Sequence, residues 1–152
     1  MGSTKGLGLS LNKSICISNN KVLRNTKFAG DCGEHLVAFD LNTAGIHCSL
    51  ASGGLPYDLI ADIDGILKRV QIKATTGCLP TKGSITKRYS FGSKNFPLSR
   101  YKGKIDIFAF VAIDLKVVLY RPATIEKNFC HLGPSDFTIT TSIESRIANF
   151  GK

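Results

Sequence analysis

In the stretch LPYDLIADIDGILKRVQIKAT (55–75), Asp58, Gln71 and Lys73 supply a carboxylate, a carboxamide and an ammonium. Carboxylate and amide oxygens hold hard divalent cations, and an ammonium beside them can meet an anionic group. The rest of the chain favours an anionic partner. Ten lysines and arginines (Lys68, Arg69, Lys73, Lys82, Lys87, Arg88, Lys94, Arg100, Lys102, Lys104) lie between residues 65 and 105 with no acid among them. Residues 1–30 add five more, again without an acid, and the net charge is +9. A surface of this kind attracts polyanions, of which nucleic acid is the commonest. A basic solubilising face would have the same composition, so charge alone does not decide.

The three polar residues meet only if the backbone brings them together. Asp64-Gly65 is a strong two-residue hairpin signal, because a type I′ turn needs positive φ at both central positions. With that turn Ile63 pairs with Ile66, and Asp58 stands opposite Gln71. Directly opposed side chains lie about 5 Å apart at Cβ and share a face; Lys73, two residues on, shares it too. The other face collects Tyr57, Leu59, Ala61, Ile63, Ile66, Val70 and Ile72, with Lys68 as its polar member. A solvated strand face would also carry Asp58, Asp62, Arg69, Gln71 and Lys73. Ile60 and Leu67 on that side predict partial cover, and the lysine stands beside a carboxylate. A slip of one residue would turn Lys73 away from Asp58.

Thr26 to Ala44 reads as a helix, with Thr26 as a plausible N-cap, Asp31 and Glu34 early, and Gly45 at its end. Glu34 lies in line with Val37, Ala38, Leu41 and Ala44, just after Gly30 and Gly33. An inward carboxylate is costly unless it meets a cation; a first-turn acid tilted out to water and favoured by the helix dipole is the alternative. IHCSLAS (46–52) suits a buried strand. Residues 77–104 are loop-rich, with a possible strand at KRYSFGS (87–93). KIDIFAFVAID and KVVLYRP read as a second hairpin, and ATIEKN and SIESRIANF carry helical signals. These elements predict one α/β domain, a mixed β-sheet flanked by helices, with residues 1–25 as a basic N-terminal segment. That segment could equally be a transit peptide or a disordered arm.

The 152 residues fit one domain, with 43% hydrophobic and 20% charged residues. The longest apolar stretch, around 105–113, contains Asp106 and is about half the ~20 residues of a membrane helix. No secretory signal is visible. The five cysteines (Cys16, Cys32, Cys48, Cys78, Cys130) are scattered. That argues against zinc and against a disulfide framework, and fits an intracellular reducing compartment such as cytoplasm or nucleoid, with an organelle still open.

Taken together, FAGDCGEHLVAFDL (28–41), LPYDLIADIDG (55–65) and VQIKAT (70–75) resemble the first helix, second strand and third strand of the PD-(D/E)xK nuclease superfamily. Within it the chain is most similar to the intron-associated homing endonucleases, which also place Gln before x-Lys. Archaeal Holliday-junction resolvases share the GxxGE helix opening. The chain departs from the pattern in its PxD at Pro56–Asp58 and in the uncharged Gln71, and it shows no clear helix between the third and fourth strands. The resemblance implies a restriction-endonuclease-like αβββ…β core over residues 26–152 that hydrolyses DNA phosphodiesters with magnesium, manganese substituting. It implies Glu34, Asp58, Gln71 and Lys73 as catalytic residues. Metal ligands would be Asp58, the Gln71 amide oxygen and the Ile72 carbonyl, with Glu34 binding a metal-bound water or a second ion from the helix side. Double-stranded DNA would lie on the basic span 77–104, through Lys82, Lys87, Arg88, Lys94, Arg100, Lys102 and Lys104. One site cuts one strand, so a homodimer or homotetramer is expected, with no membrane partner. A structure-specific nuclease such as a junction resolvase and a non-catalytic nucleic-acid-binding relative are the alternatives.

Overall fold

The structure is a computed structural model that describes residues 26–80, 83, 85–92, 101–124 and 130–152. The N-terminal segment 1–25 and most of ATIEKN lie outside the described residues.

Helix α1 (Thr26–Thr43) forms because Ala29, Gly33, Val37 and Leu41 recur one turn apart and are all buried. Its end is a Schellman turn. Gly45 takes φ +76°, its N–H reaches the Asn42 carbonyl, and the Ile46 N–H reaches the Leu41 carbonyl at 2.9 Å. Strand β1 (His47–Leu50) follows, then the hairpin of β2 (Leu59–Ile63) and β3 (Ile66–Thr75). Asp64 and Gly65 have φ of +53° and +89°, the turn that the sequence predicts. Leu59 pairs with Val70 and Ile63 with Ile66, so the register is the expected one.

The five-stranded sheet runs β1-β2-β3-β6-β7, with β6 (Ile107–Ala112) parallel to β3 and antiparallel to β7 (Val117–Pro122). A parallel pair needs a crossover. Its described part contributes two strands: β4 (Leu79–Pro80) and β5 (Lys87–Phe91) join β8 (Cys130–Leu132) in a three-stranded sheet. A 3-10 turn (Pro134–Asp136) leads to helix α2 (Ile139–Phe150), N-capped by Thr138.

Alternation along the central strands divides the core in two. Val37, Leu41, Leu59, Ala61, Val70, Ile72, Ala109, Val111 and Tyr120 pack with the two helices on one face. Tyr89, Phe91, Phe108, Phe110, Leu119, Leu132 and Phe137 fill the space under the small sheet on the other. On the helix side the Tyr120 hydroxyl donates to Asp40 at 2.8 Å, and Arg146 pairs with the same carboxylate at 2.7 Å. One acid thereby ties α1, β7 and α2.

Three expectations are corrected. Among the described residues strand β1 is an edge strand with most of its residues exposed, not a buried one, because only β2 flanks it there. Tyr57 packs in the aromatic cluster under the small sheet rather than with the aliphatic face, since β2 begins only at Leu59 and strict alternation does not reach back to it. Ile66 and Leu67 are 63% and 60% exposed, because the hairpin end projects past its cover. Cover of the polar face is confined to its other end.

Gly33 sets how closely α1 approaches β3. A Cβ there would lie 2.5 Å from the Cβ of Ala74 and 3.6 Å from Ile72 Cγ2. Gly33→Ala should therefore push the helix outward and lower stability by about 1–3 kcal/mol. Most of the loss should return in the Gly33→Ala/Ala74→Gly double variant, as read by a denaturant-unfolding cycle.

Candidate active site

The polar face of the β2–β3 hairpin divides by function once its partners are known. Asp62 accepts from the Gly65 N–H at 2.8 Å and steadies the turn. Arg69 forms a bidentate pair with Asp106, Nε to Oδ2 and Nη2 to Oδ1 at 3.0 Å each, and also donates to the Gly103 carbonyl. That pair locks the start of β6 beside β3 and holds the Asp106 carboxyl below the usual range through the Arg69 hydrogen bonds. Asp58, Gln71 and Lys73 remain.

Asp58 is pinned before its strand begins: its N–H bonds the Val70 carbonyl at 2.9 Å and its carbonyl accepts from Ala51 at 2.8 Å. Its Oδ2 accepts from the Ile72 N–H at 2.7 Å and from the Gln71 amide nitrogen. Gln71, only 7% exposed, also donates to the Ile72 carbonyl at 3.3 Å. The amide nitrogen thus faces the two oxygens, on Asp58 and Ile72, that the family resemblance implies as metal ligands. Half a turn of the carboxamide exchanges its oxygen for its nitrogen.

Lys73 shares the face, as predicted. Its Nζ donates to the Tyr101 hydroxyl at 3.2 Å and lies 5.1 Å from the ring centroid. In the parallel register, Phe108 flanks Gln71 and Phe110 flanks Lys73, so an aromatic wall borders the site.

Two carboxyls are perturbed. Burial pushes Asp58 up, against the opposing pull of the Ile72 N–H, the Lys73 charge and Gln71. Burial also raises Glu34, helped by the charges of Asp58 and Asp31 and opposed by His35. Glu34 is half-buried, neither tilted freely into water nor sealed in the core, and it lies within electrostatic reach of Asp58.

Lys87 and Arg88 are exposed on β5, and Lys102 and Lys104 are exposed before β6. Lys82, Lys94 and Arg100 lie outside the described residues. Sequence reasoning missed Tyr101. It sits among the basic residues of the crossover, and nothing local signals its contact with Lys73.

Among the described residues no three His, Cys, Asp or Glu side chains cluster as metal ligands. Two carboxyls, Asp58 and Glu34, with the Gln71 amide and the Ile72 carbonyl are the groups that could hold a cation. Such a set would fit magnesium, which binds through one or two carboxylates and keeps waters.

The profile of the PD-(D/E)XK endonuclease family matches residues 24–139. The chain belongs to that family. It is a nuclease, and its five-stranded mixed sheet with flanking helices is restriction-endonuclease-like. A solved structure of a bacterial homing endonuclease, I-Ssp6803I, is similar with a TM-score of 0.56 and 22% identity, over 71% of this chain and 75% of that one. At that identity the likeness shows the fold. No curated protein matches the nuclease. None of its described helices is long and apolar enough to cross a membrane.

An acid that holds its proton more tightly when folded binds more protons folded than unfolded, so stability falls as pH rises through that interval. Asp58→Asn keeps an oxygen for the Ile72 N–H and removes the buried charge. Its melting temperature should exceed wild type by roughly 2–6 °C at pH 8, and the difference should vanish near pH 3, below the ordinary aspartate pKa of about 3.9. Thermal melts across that range provide the check.

Proposed function

We propose that the chain is a divalent-metal-dependent endonuclease that cuts double-stranded DNA at specific sites, of the homing type. The observation that carries this reading is the convergence of Asp58, Gln71 and Lys73 on one face of the β2–β3 hairpin, with the Ile72 carbonyl beside them. Family membership supports nuclease chemistry, and the fold likeness to a homing endonuclease favours that type over a junction resolvase.

Hydrolysis of a phosphodiester needs an activated water, relief of charge on the phosphorus in flight, and help for the leaving oxygen. Asp58, the Gln71 amide oxygen after rotation and the Ile72 carbonyl would hold magnesium, with Glu34 on the helix side. Magnesium, when bound, supplies charge neutralisation and a lowered water pKa. Lys73 orients the attacking water and offsets charge on the scissile phosphate. Protons compete with a cation for the Asp58 and Glu34 carboxylates, which burial already disposes to protonate, so activity should weaken on acidification. The aromatic wall of Phe108 and Phe110 limits water on one side of the site.

Lys87, Arg88, Lys102 and Lys104, with Lys82, Lys94 and Arg100 in the same span, place the duplex through its phosphates. The β4–β5 ribbon suits the major groove, where Lys87 or Arg88 can address guanine edges. Cutting both strands requires two sites and hence at least a homodimer.

Incubation with long linear DNA and with a four-way junction, each with and without magnesium, tests this reading. Discrete magnesium-dependent fragments from linear DNA are expected, and Lys73→Ala should cut about 10²–10³-fold more slowly. Junction nicking alone would indicate a resolvase, and metal-independent retention without cutting a binding protein.

Gln71 tests the ligand set separately. Gln71→Glu adds an anion and removes the donation to Asp58. The variant should melt lower without metal and bind calcium or magnesium about tenfold more tightly, the effect of about 1.4 kcal/mol. Calorimetric titration showing no tightening would count against Gln71 as a ligand.

A further inference from the structure

A lysine side chain is a flexible stem rich in rotamer entropy, so it does not hold one position without partners. The obvious partner, Asp58, does not hold it. Among the described residues Lys73 forms no ion pair, and it acts on the Asp58 carboxyl only through space. Its ammonium is held instead by Tyr101, through the 3.2 Å hydrogen bond to the phenol oxygen and the approach to the ring face. Cation–π contacts act within about 6 Å of the centroid.

Tyr101 is itself anchored. Its ring meets Phe108 edge-on at 6.1 Å, and Phe108 stacks on Phe110 at 5.8 Å. Phe110 in turn meets the buried Phe91 of β5 at 5.1 Å. A row of rings rooted in the core thus ends at the ammonium. Asp58 Oδ2 is engaged by Gln71 and Ile72, whereas Oδ1 takes none of those bonds. An ammonium released from Tyr101 would be drawn onto that oxygen and would occupy the place of a cation.

We propose that Tyr101 is a positioning residue for Lys73, holding the ammonium within the site but off the Asp58 carboxylate. This rests on the reading of Lys73 as catalytic. Tyr101→Phe keeps the ring and removes the acceptor, and Tyr101→Ala removes both. Single-turnover cleavage with excess protein should slow about tenfold for Phe and about 100-fold for Ala, the cost of a small misplacement. The dissociation constant for DNA in calcium should stay within about twofold of wild type, since no phosphate contact is lost.

The deciding comparison is Lys73→Ala against Lys73→Ala/Tyr101→Phe, because a residue acting through Lys73 has no further effect once the amine is gone. Equal residual rates support the proposal. It is overturned if Tyr101→Phe cuts like wild type, if the double variant slows again by the same factor, or if DNA affinity falls in step with rate. Wild-type cutting by Lys73→Ala would overturn the reading of Lys73 itself. A slow Lys73→Ala beside an unimpaired Tyr101→Phe would sink only the positioning role.

Discussion

Positive φ at both Asp64 and Gly65 commits the β2–β3 hairpin to a two-residue turn, and with it to one pairing. Side chains alternate along a strand, so a shift of one residue would exchange the two faces completely. Leu59, Ala61, Val70 and Ile72 would leave the helix-side core, while Gln71 and Lys73 would enter it. The aliphatic core and the polar cluster therefore enforce the same register from opposite sides. The bidentate Arg69–Asp106 pair adds a second lock, fixing where β6 begins against β3 and hence which aromatic residues border Gln71 and Lys73.

The electrostatics of the site run against those of the protein around it. A chain of net charge +9 surrounds two carboxyls that burial makes reluctant to ionise. Within the cluster the compensating positive groups are a half-buried lysine held by a tyrosine, an amide N–H and a backbone N–H. The two N–H groups engage one oxygen of Asp58, and the lysine acts on it through space. On the reading proposed above, a small cation would enter this cluster while the basic outer surface would attract a polyanion, and a phosphate so placed would supply further ligands.

The elements carried by local chemistry were legible in the sequence. The Asp64-Gly65 turn, the alternation on either side of it and the four-residue spacing ending at Gly45 each report a backbone rule, and helix, hairpin and register followed from them. Relations between distant segments were not legible. An apolar run such as IHCSLAS reads alike whether one neighbour or two flank it, so the edge position of β1 was hidden. Tyr57 carried an alternation signal that belonged to a strand not yet begun. Tyr101 stands 28 residues from Lys73 in the sequence, and no residue near it reports their contact. Phe108 and Phe110 alternate plainly in IFAFVA, but what they border emerges only once β6 lies parallel to β3.

Asp40 binds both the Tyr120 hydroxyl and Arg146, and Phe150 packs edge-on against the Tyr120 ring at 5.1 Å. Helix α2 lies almost wholly beyond the span matched by the family profile, yet it closes the aliphatic side of the sheet. Cutting the chain back to that span would strand a buried phenol and a carboxylate and unroof β7. The span matched by the family profile is thus smaller than the unit whose packing closes the aliphatic side of the sheet.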